Sequence, residues 1–211
     1  MLNTSTLLPA HEGLNSAVAA IRSGRLVVMP TDTVYGIAAR PDLPAAVQAL
    51  FAAKQRPRHQ PMPVLVASAE QAEPLAQFNE LARTLMATFW PGALTLVAPM
   101  RPELVWDLGQ TDGTVALRQP AHPTALDLLE LTGPLAVTSA NHSGQAPSLE
   151  AWAARKEFGA QVAVYLDDGP SPGEIPSTVV RLDNGEVKVL REGAIAQLEV
   201  VQACRRAEAS L

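Results

Sequence analysis

Residues 14–36 read LNSAVAAIRSGRLVVMPTDTVYG, and this stretch sets the fold class. Leu14, Ala17, Val18 and Ile21 recur at helical spacing, Gly24 supplies a C-terminal stop, and Arg25 to Met29 has the length and apolarity of a buried strand closed by Pro30. A helix feeding a buried strand is one unit of a layered α/β protein. The unit recurs downstream. Val47, Leu50 and Phe51 mark a helix that leads into a strand from Pro63 to Ala67, after which Ser68 and Gln71 have capping-box spacing. Asn79 can cap a helix with Leu81, Leu85, Met86 and Phe89 as its apolar face, stopped by Pro91-Gly92 before a strand from Ala93 to Ala98. A strand Thr114 to Arg118, a helix Thr124 to Thr132 and a strand Leu135 to Ser139 follow. A helix near Leu149 to Phe158 and a strand Val162 to Leu166 come next. Asn184-Gly185 is a strong hairpin-turn signal, and a terminal helix begins near Ile195.

The expectation is α/β: a single layered domain over residues 1–211, with a twisted mixed sheet flanked by helices and a deep cavity at strand ends. Ligands of open α/β sheets gather at the carboxyl ends of strands, so the loops after Met29, Arg118 and Ser139 are where chemistry is sought.

The 211 residues are 47% hydrophobic and 18% charged, which excludes a disordered, highly charged chain. A net charge of −5 argues against a protein that grips nucleic-acid phosphates over a broad surface, while leaving room for a local basic cleft. One cysteine, Cys204, cannot form an internal disulfide, and His11, His59, His122 and His142 show no metal-ligand spacing. No export signal or membrane-length apolar run is present, so a cytoplasmic protein without membrane contact is expected.

The common nucleotide-binding and hydrolase signatures are missing, so any nucleotide site here is built another way. Four segments carry polar groups that a core does not need. Pro30 to Gly36 places two hydroxyls, a carboxylate and a phenol after a strand; it reads either as an ordinary polar turn or as a ligand loop. Lys54-Gln55-Arg56-Pro57 follows the apolar stripe of its helix, so Lys54 continues the buried face, aimed into a cleft. C-terminal helix capping by cations is the competing explanation. Arg118 ends a strand, where its planar fork suits a carboxylate or a surface salt bridge. Thr138 to Gly144 groups small hydroxyls, an amide and a glycine, which favours ligand binding over a nucleophile because no base accompanies the serine. His122, between prolines, and Asp167-Asp168-Gly169 read as turns.

Taken in order, PTDTVYG, KQRP, PGALTLV, TVALRQPAHP, TSANHSG, STVV and LREGAI resemble the YrdC/TsaC family of threonylcarbamoyl-AMP synthases over roughly residues 14–195. The resemblance implies that L-threonine, bicarbonate and ATP, with Mg2+ accompanying the nucleotide, give threonylcarbamoyl-adenylate and pyrophosphate. The product would pass to a tRNA threonylcarbamoyltransferase of the TsaD/TsaB/TsaE type, with tRNA itself a weak partner at most. It further implies a catalytic set of Lys54, Arg56, Ser139 and Asn141. ATP would meet these four together with Gln60, Thr114 and Arg191, and threonine would meet Thr31, Thr33, Arg118, Thr138 and Ser177. No resident metal site is implied. Gln60 and Leu65 stand where many longer relatives place an Asn and a His, and the short stretch after LREGAI leaves no room for those relatives' additional C-terminal domain. Two other readings are a YciO-like paralogue, whose usual mark is loss of the S-x-N signature kept here at Ser139 and Asn141, and an RNA-binding or ribosome-maturation module.

Overall fold

The structure, a computed structural model, describes residues 5–183 and 186–208. In chain order it runs β1 (Thr6–Pro9), α1 (Ala10–Arg22), β2 (Leu26–Met29), β3 (Gly36–Ala39), α2 (Pro44–Lys54), β4 (Val64–Leu65) and α3 (Ala69–Ala72). It continues with α4 (Glu80–Phe89), β5 (Leu94–Pro99), β6 (Thr114–Arg118), α5 (Pro123–Thr132), β7 (Leu135–Ser139) and α6 (Ala151–Phe158). The last elements are β8 (Val162–Asp167), β9 (Thr178–Asp183), β10 (Glu186–Arg191) and α7 (Gln197–Glu208).

These strands form one mixed sheet in the order β1-β8-β2-β3-β7-β4-β6-β5-β9-β10. The pairs β1/β8, β2/β8, β4/β6 and β5/β9 are parallel, and the other five are antiparallel. This is the expected α/β domain. The core lies in two clusters. One holds Val28, Ile37, Leu50, Leu85, Leu96 and Leu117, and the other Ile21, Val27, Met29, Leu128, Leu135 and Leu166. Each such side chain contributes about 1.5–3 kcal/mol on full burial, which is why the apolar stripes decide where the helices sit.

The capping signals act locally as their chemistry predicts. Asn79 Oδ1 accepts from the Ala82 N–H at 2.8 Å at the start of α4. Ser68 Oγ accepts from Gln71 N–H at 3.2 Å, while the Gln71 side chain reaches back one residue further than the usual box, to the Ala67 N–H at 2.8 Å.

Several boundaries differ from the sequence reading. Helix α1 starts at Ala10, four residues before Leu14, and the strand expected from Pro63 to Ala67 shortens to Val64–Leu65. Two strands were not read at all. β1 is half-exposed, and β3, Gly-Ile-Ala-Ala, has no alternation to betray it; pairing with β2 on one side and β7 on the other makes it a strand. Gly36 is needed there because a Cβ would lie 2.6 Å from Val137 Cγ1. β9 and β10 form the expected antiparallel pair, but its turn, Asn184-Gly185, lies outside the described residues. No helix among the described residues is long and apolar enough to cross a membrane.

Candidate active site

The loop after β2 is held by its own hydroxyls. Thr31 Oγ1 donates to the Val34 carbonyl at 2.6 Å and accepts from the Thr33 and Val34 N–H groups at 3.2 and 3.3 Å, the geometry of a hydroxyl-closed turn. The turn reading and the ligand-loop reading therefore describe the same residues. The Tyr35 hydroxyl donates to Gly169 O at 2.6 Å and accepts from Asp168 N–H at 3.1 Å, and burial pushes its pKa up to about 12. Ser171 Oγ donates to Thr33 O at 2.9 Å, so the segment after β8 bolts this loop down.

Arg118 at the end of β6 reaches the same loop. Its Nη2 donates to Asp32 Oδ1 at 2.6 Å, its Nη1 to Thr33 Oγ1 at 3.0 Å and its Nε to Gly92 O at 2.9 Å. The fork expected to stand open for a carboxylate is thus partly occupied from within the chain. Burial lowers the Arg118 pKa and the Asp32 carboxylate opposes that shift.

At the end of α2, Gln55 takes a left-handed conformation, φ 49°, and turns the chain out of the helix. Lys54 stays inside. The residue is 1% exposed, and its ammonium donates to Ser139 O at 2.6 Å, to Asn141 Oδ1 at 3.2 Å, and to Asn141 O. It lines neither cleft described below, so it does not point into a cleft as the helix stripe suggested: it lies beneath the loop after β7 and ties that loop to α2. A buried cation is tolerated only when acceptors surround it, which these oxygens do. Burial first, then the nearby Arg56 cation, pull Lys54 down from an ordinary 10.5 to about 8, with Glu157 opposing. The Asn141 amide donates to His142 O and Gln145 O, each at 2.8 Å, and so shapes the loop from inside. From outside, Glu157 on α6 accepts from the His142 backbone N–H and lies 2.9 Å from His142 Nδ1.

Arg56 leaves the helix and is held side-on, with Nε donating to Gln60 O at 2.8 Å and Nη2 to Pro61 O at 3.1 Å. Gln60 contributes that carbonyl; its side chain is exposed and lines neither cleft. Arg191, at the end of β10, donates to Ser177 O at 2.7 Å and Ser177 Oγ at 3.3 Å, and the Ser177 hydroxyl pairs with Thr95 Oγ1 at 2.8 Å. Burial lowers both guanidinium pKa values, and for Arg56 the proximity of Arg191 adds to it.

These groups surround two adjoining clefts. The first, about 160 Å³, is lined by Thr31, Thr33, Thr138, Ser139 and Arg118 together with Leu65, Thr95, Ser177, Arg56 and Arg191. The second, about 390 Å³, shares Arg56, Thr95, Ser177 and Arg191 and adds Thr114, Gln110, Arg181 and His59. The clefts are not confined to carboxyl ends of strands: Leu65 ends β4, but Thr95 lies near the amino end of β5 and Ser177 precedes β9. Of the residues singled out from sequence, Lys54, Asn141 and Gln60 stand outside both linings. Asp32, Thr95 and Glu157 are structural partners that sequence reading missed. Thr95 carried a signal, a lone hydroxyl in an apolar strand.

His122, read as a turn residue, is the extended residue that caps α5, and it lines neither cleft; Asp167, the last residue of β8, accepts through Oδ1 from Gly169 N–H at 3.1 Å where the chain leaves the strand. Among the described residues, no group of three or more His, Cys, Asp or Glu side chains could hold a metal ion.

The α/β sheet thus carries paired clefts lined by hydroxyls and guanidinium groups. The Sua5/YciO/YrdC family model, described as "Telomere recombination", matches residues 19–193, and the chain belongs to that family. A Mycobacterium tuberculosis relative is 48% identical over 200 residues, covering 94% of this chain and 92% of its own. A threonylcarbamoyl-AMP synthase of Bacillus subtilis is 37% identical over 188 residues, covering 87% of this chain and 54% of its own. The Pyrococcus abyssi Sua5 structure complexed with L-threonine superposes with a TM-score of 0.87 at 35% identity, covering 95% of this chain and 59% of that one. Escherichia coli YciO shares the fold, with a TM-score of 0.83 at 24% identity over 92% of this chain and 98% of its own. This chain therefore spans little more than half the length of the Bacillus and Pyrococcus proteins.

Proposed function

We propose that the protein is a threonylcarbamoyl-AMP synthase, joining L-threonine, bicarbonate and ATP into threonylcarbamoyl-adenylate with release of pyrophosphate. The observation that carries this reading is the sharing of Arg56, Ser177 and Arg191 by two clefts; in this reading an amino-acid derivative in one lies against a triphosphate in the other. The relatives' names and the threonine complex of the Pyrococcus protein support it.

In this reading threonine occupies the first cleft among Thr31, Thr33, Thr138 and Ser177, its carboxylate on the N–H groups of Arg118 that remain. Loss of a proton from the ammonium lets the nitrogen bond to the bicarbonate carbon, giving a carbamate as water leaves. A carbamate oxygen then attacks the α-phosphorus of ATP in line, and the bond to pyrophosphate breaks. Such displacements need positioning and charge neutralisation more than covalent help, which suits guanidinium groups and hydroxyls without a triad. Arg56 and Arg191 face the triphosphate, with Thr114 further along the second cleft; Lys54 and Asn141 hold the Ser139 loop in place. Magnesium arrives on ATP as part of the substrate and neutralises phosphate charge. No carboxylate cluster is required of the chain for that role. The adenylate is consumed by a tRNA threonylcarbamoyltransferase. Retention of Ser139 and Asn141, joined to Lys54, favours this activity over that of a YciO-like paralogue.

Pyrophosphate release tests the reading. It should require both L-threonine and bicarbonate, and serine should be poorer, since one missing methyl in an apolar pocket is worth about 1–3 kcal/mol. Equal ATP turnover without an amino acid would replace this function with a plain ATPase.

A further inference from the structure

Asp32 is the one charged residue of the Pro30–Gly36 loop, and the mechanism above gives it no part. Its side chain is 14% exposed and that of Arg118 is 7% exposed, with 2.6 Å between Oδ1 and Nη2. A guanidinium has five N–H groups. Gly92 O, Thr33 Oγ1 and Asp32 Oδ1 each take one, which leaves Arg118 one on each terminal nitrogen, the pair needed for a two-point grip on a carboxylate. Arg118 lines the first cleft and Asp32 does not, so the carboxylate holds the guanidinium without standing in the ligand's way.

Charge is divided in the same stroke. Asp32 cancels the positive charge of Arg118, whereas Arg56 and Arg191 are held by backbone carbonyls and the Ser177 hydroxyl. The surplus of positive charge therefore sits where the two clefts meet, and Arg118, which lines the first cleft alone, presents oriented donors on a neutral pair. A polyanion is drawn to surplus charge, and a single carboxylate is satisfied by two oriented N–H groups.

We propose that Asp32 is a specificity-determining positioning residue: by orienting and neutralising Arg118 it makes the first cleft select the single carboxylate of an amino acid and leaves polyphosphate to Arg56 and Arg191. The proposal rests on the synthase reading.

The test is steady-state pyrophosphate release by wild type, Asp32→Asn and Asp32→Ala, with thermal unfolding to confirm that each variant folds. Asp32→Ala removes acceptor and charge, and should raise the threonine KM about tenfold or more, the scale of a lost charge-assisted hydrogen bond. Asp32→Asn keeps an acceptor and should raise it about threefold, as expected for a neutral bond in place of a charged one; in both variants the ATP KM should stay within about twofold. Added pyrophosphate should compete with ATP alone in the wild type, and with threonine as well once Arg118 is uncompensated. If Asp32→Ala does not fold, the threefold threonine effect and the altered inhibition pattern in Asp32→Asn carry the test. Unchanged constants and an unchanged inhibition pattern in the variants, with an active wild type, overturn the role of Asp32 and leave the synthase reading standing. A wild type that releases no pyrophosphate with threonine and bicarbonate overturns that reading and this proposal with it.

Discussion

The ammonium of Lys54, at the end of α2, donates to the carbonyl of Ser139, at the end of β7, at 2.6 Å across 85 residues of sequence. Two segments of the site are thereby one mechanical unit, and the charge on that ammonium becomes a condition for the unit's shape.

The pH dependence follows from the Lys54 pKa of about 8, below the ordinary 10.5. Above pH 8 the ammonium loses its proton and the loop its charge-assisted tether, so kcat should fall with an alkaline limb near 8. In Lys54→Arg, whose guanidinium does not titrate there, the limb should disappear from a lower overall rate. Stability moves the other way. Between pH 8 and 10.5 the unfolded chain binds the proton and the folded one does not, so this group's contribution makes unfolding harder as pH rises. Chemical denaturation at pH 7 and 9.5 should show the wild type gaining on Lys54→Met. A constant difference would mean that Lys54 titrates normally.

Arg118→Lys keeps a charge but loses the planar fork. The KM for threonine should rise about tenfold or more, with that for ATP within about twofold, measured by varying each substrate at saturation of the other. A rise confined to ATP would move Arg118 to the triphosphate subsite.

Gly109→Ala probes the support of Arg56. Gly109 has φ +102°, and a Cβ there would lie 2.7 Å from Arg58 O and 2.9 Å from Phe51 Cζ. The substitution should cost about 1–3 kcal/mol by denaturant titration, from backbone strain and the clash. It displaces the segment whose Gln60 and Pro61 carbonyls hold Arg56, so the KM for ATP should rise as well. Loss of stability with unaltered ATP kinetics would show that Arg56 does not depend on this segment.

Asn79→Ala removes the cap of α4, at a residue that lines neither cleft. It should lower stability by about 1 kcal/mol and leave activity per folded molecule unchanged. An activity loss would mean that α4 is coupled to the site.

Thr114–Arg118 and Leu135–Ser139 were legible in sequence because their apolar runs are bounded by turn residues, and the Asn79 cap because it acts over three residues. β3 was not legible, since Gly36 to Ala39 owes its strand state to pairing with β2 just before it and with β7 far along the chain. The site divides in the same way. Residue types at Thr31, Arg118 and Ser139 announced polar chemistry, but where a long side chain points depends on its acceptor. Lys54 meets Asn141 across 87 residues and Arg118 meets Asp32 across 86, separations at which spacing carries no information. That is why Lys54 was read as facing a cleft and Asp32 was left without a partner.

The most direct test of the account is the fate of carbon from ¹³C-labelled bicarbonate, followed by mass spectrometry of the nucleotide product made with ATP, magnesium and L-threonine. The account predicts an adenylate that carries both the label and the threonine mass, formed in step with pyrophosphate. An unlabelled threonyl-adenylate, joined through the amino acid's own carboxylate, would contradict it and make the protein an amino-acid-activating enzyme instead.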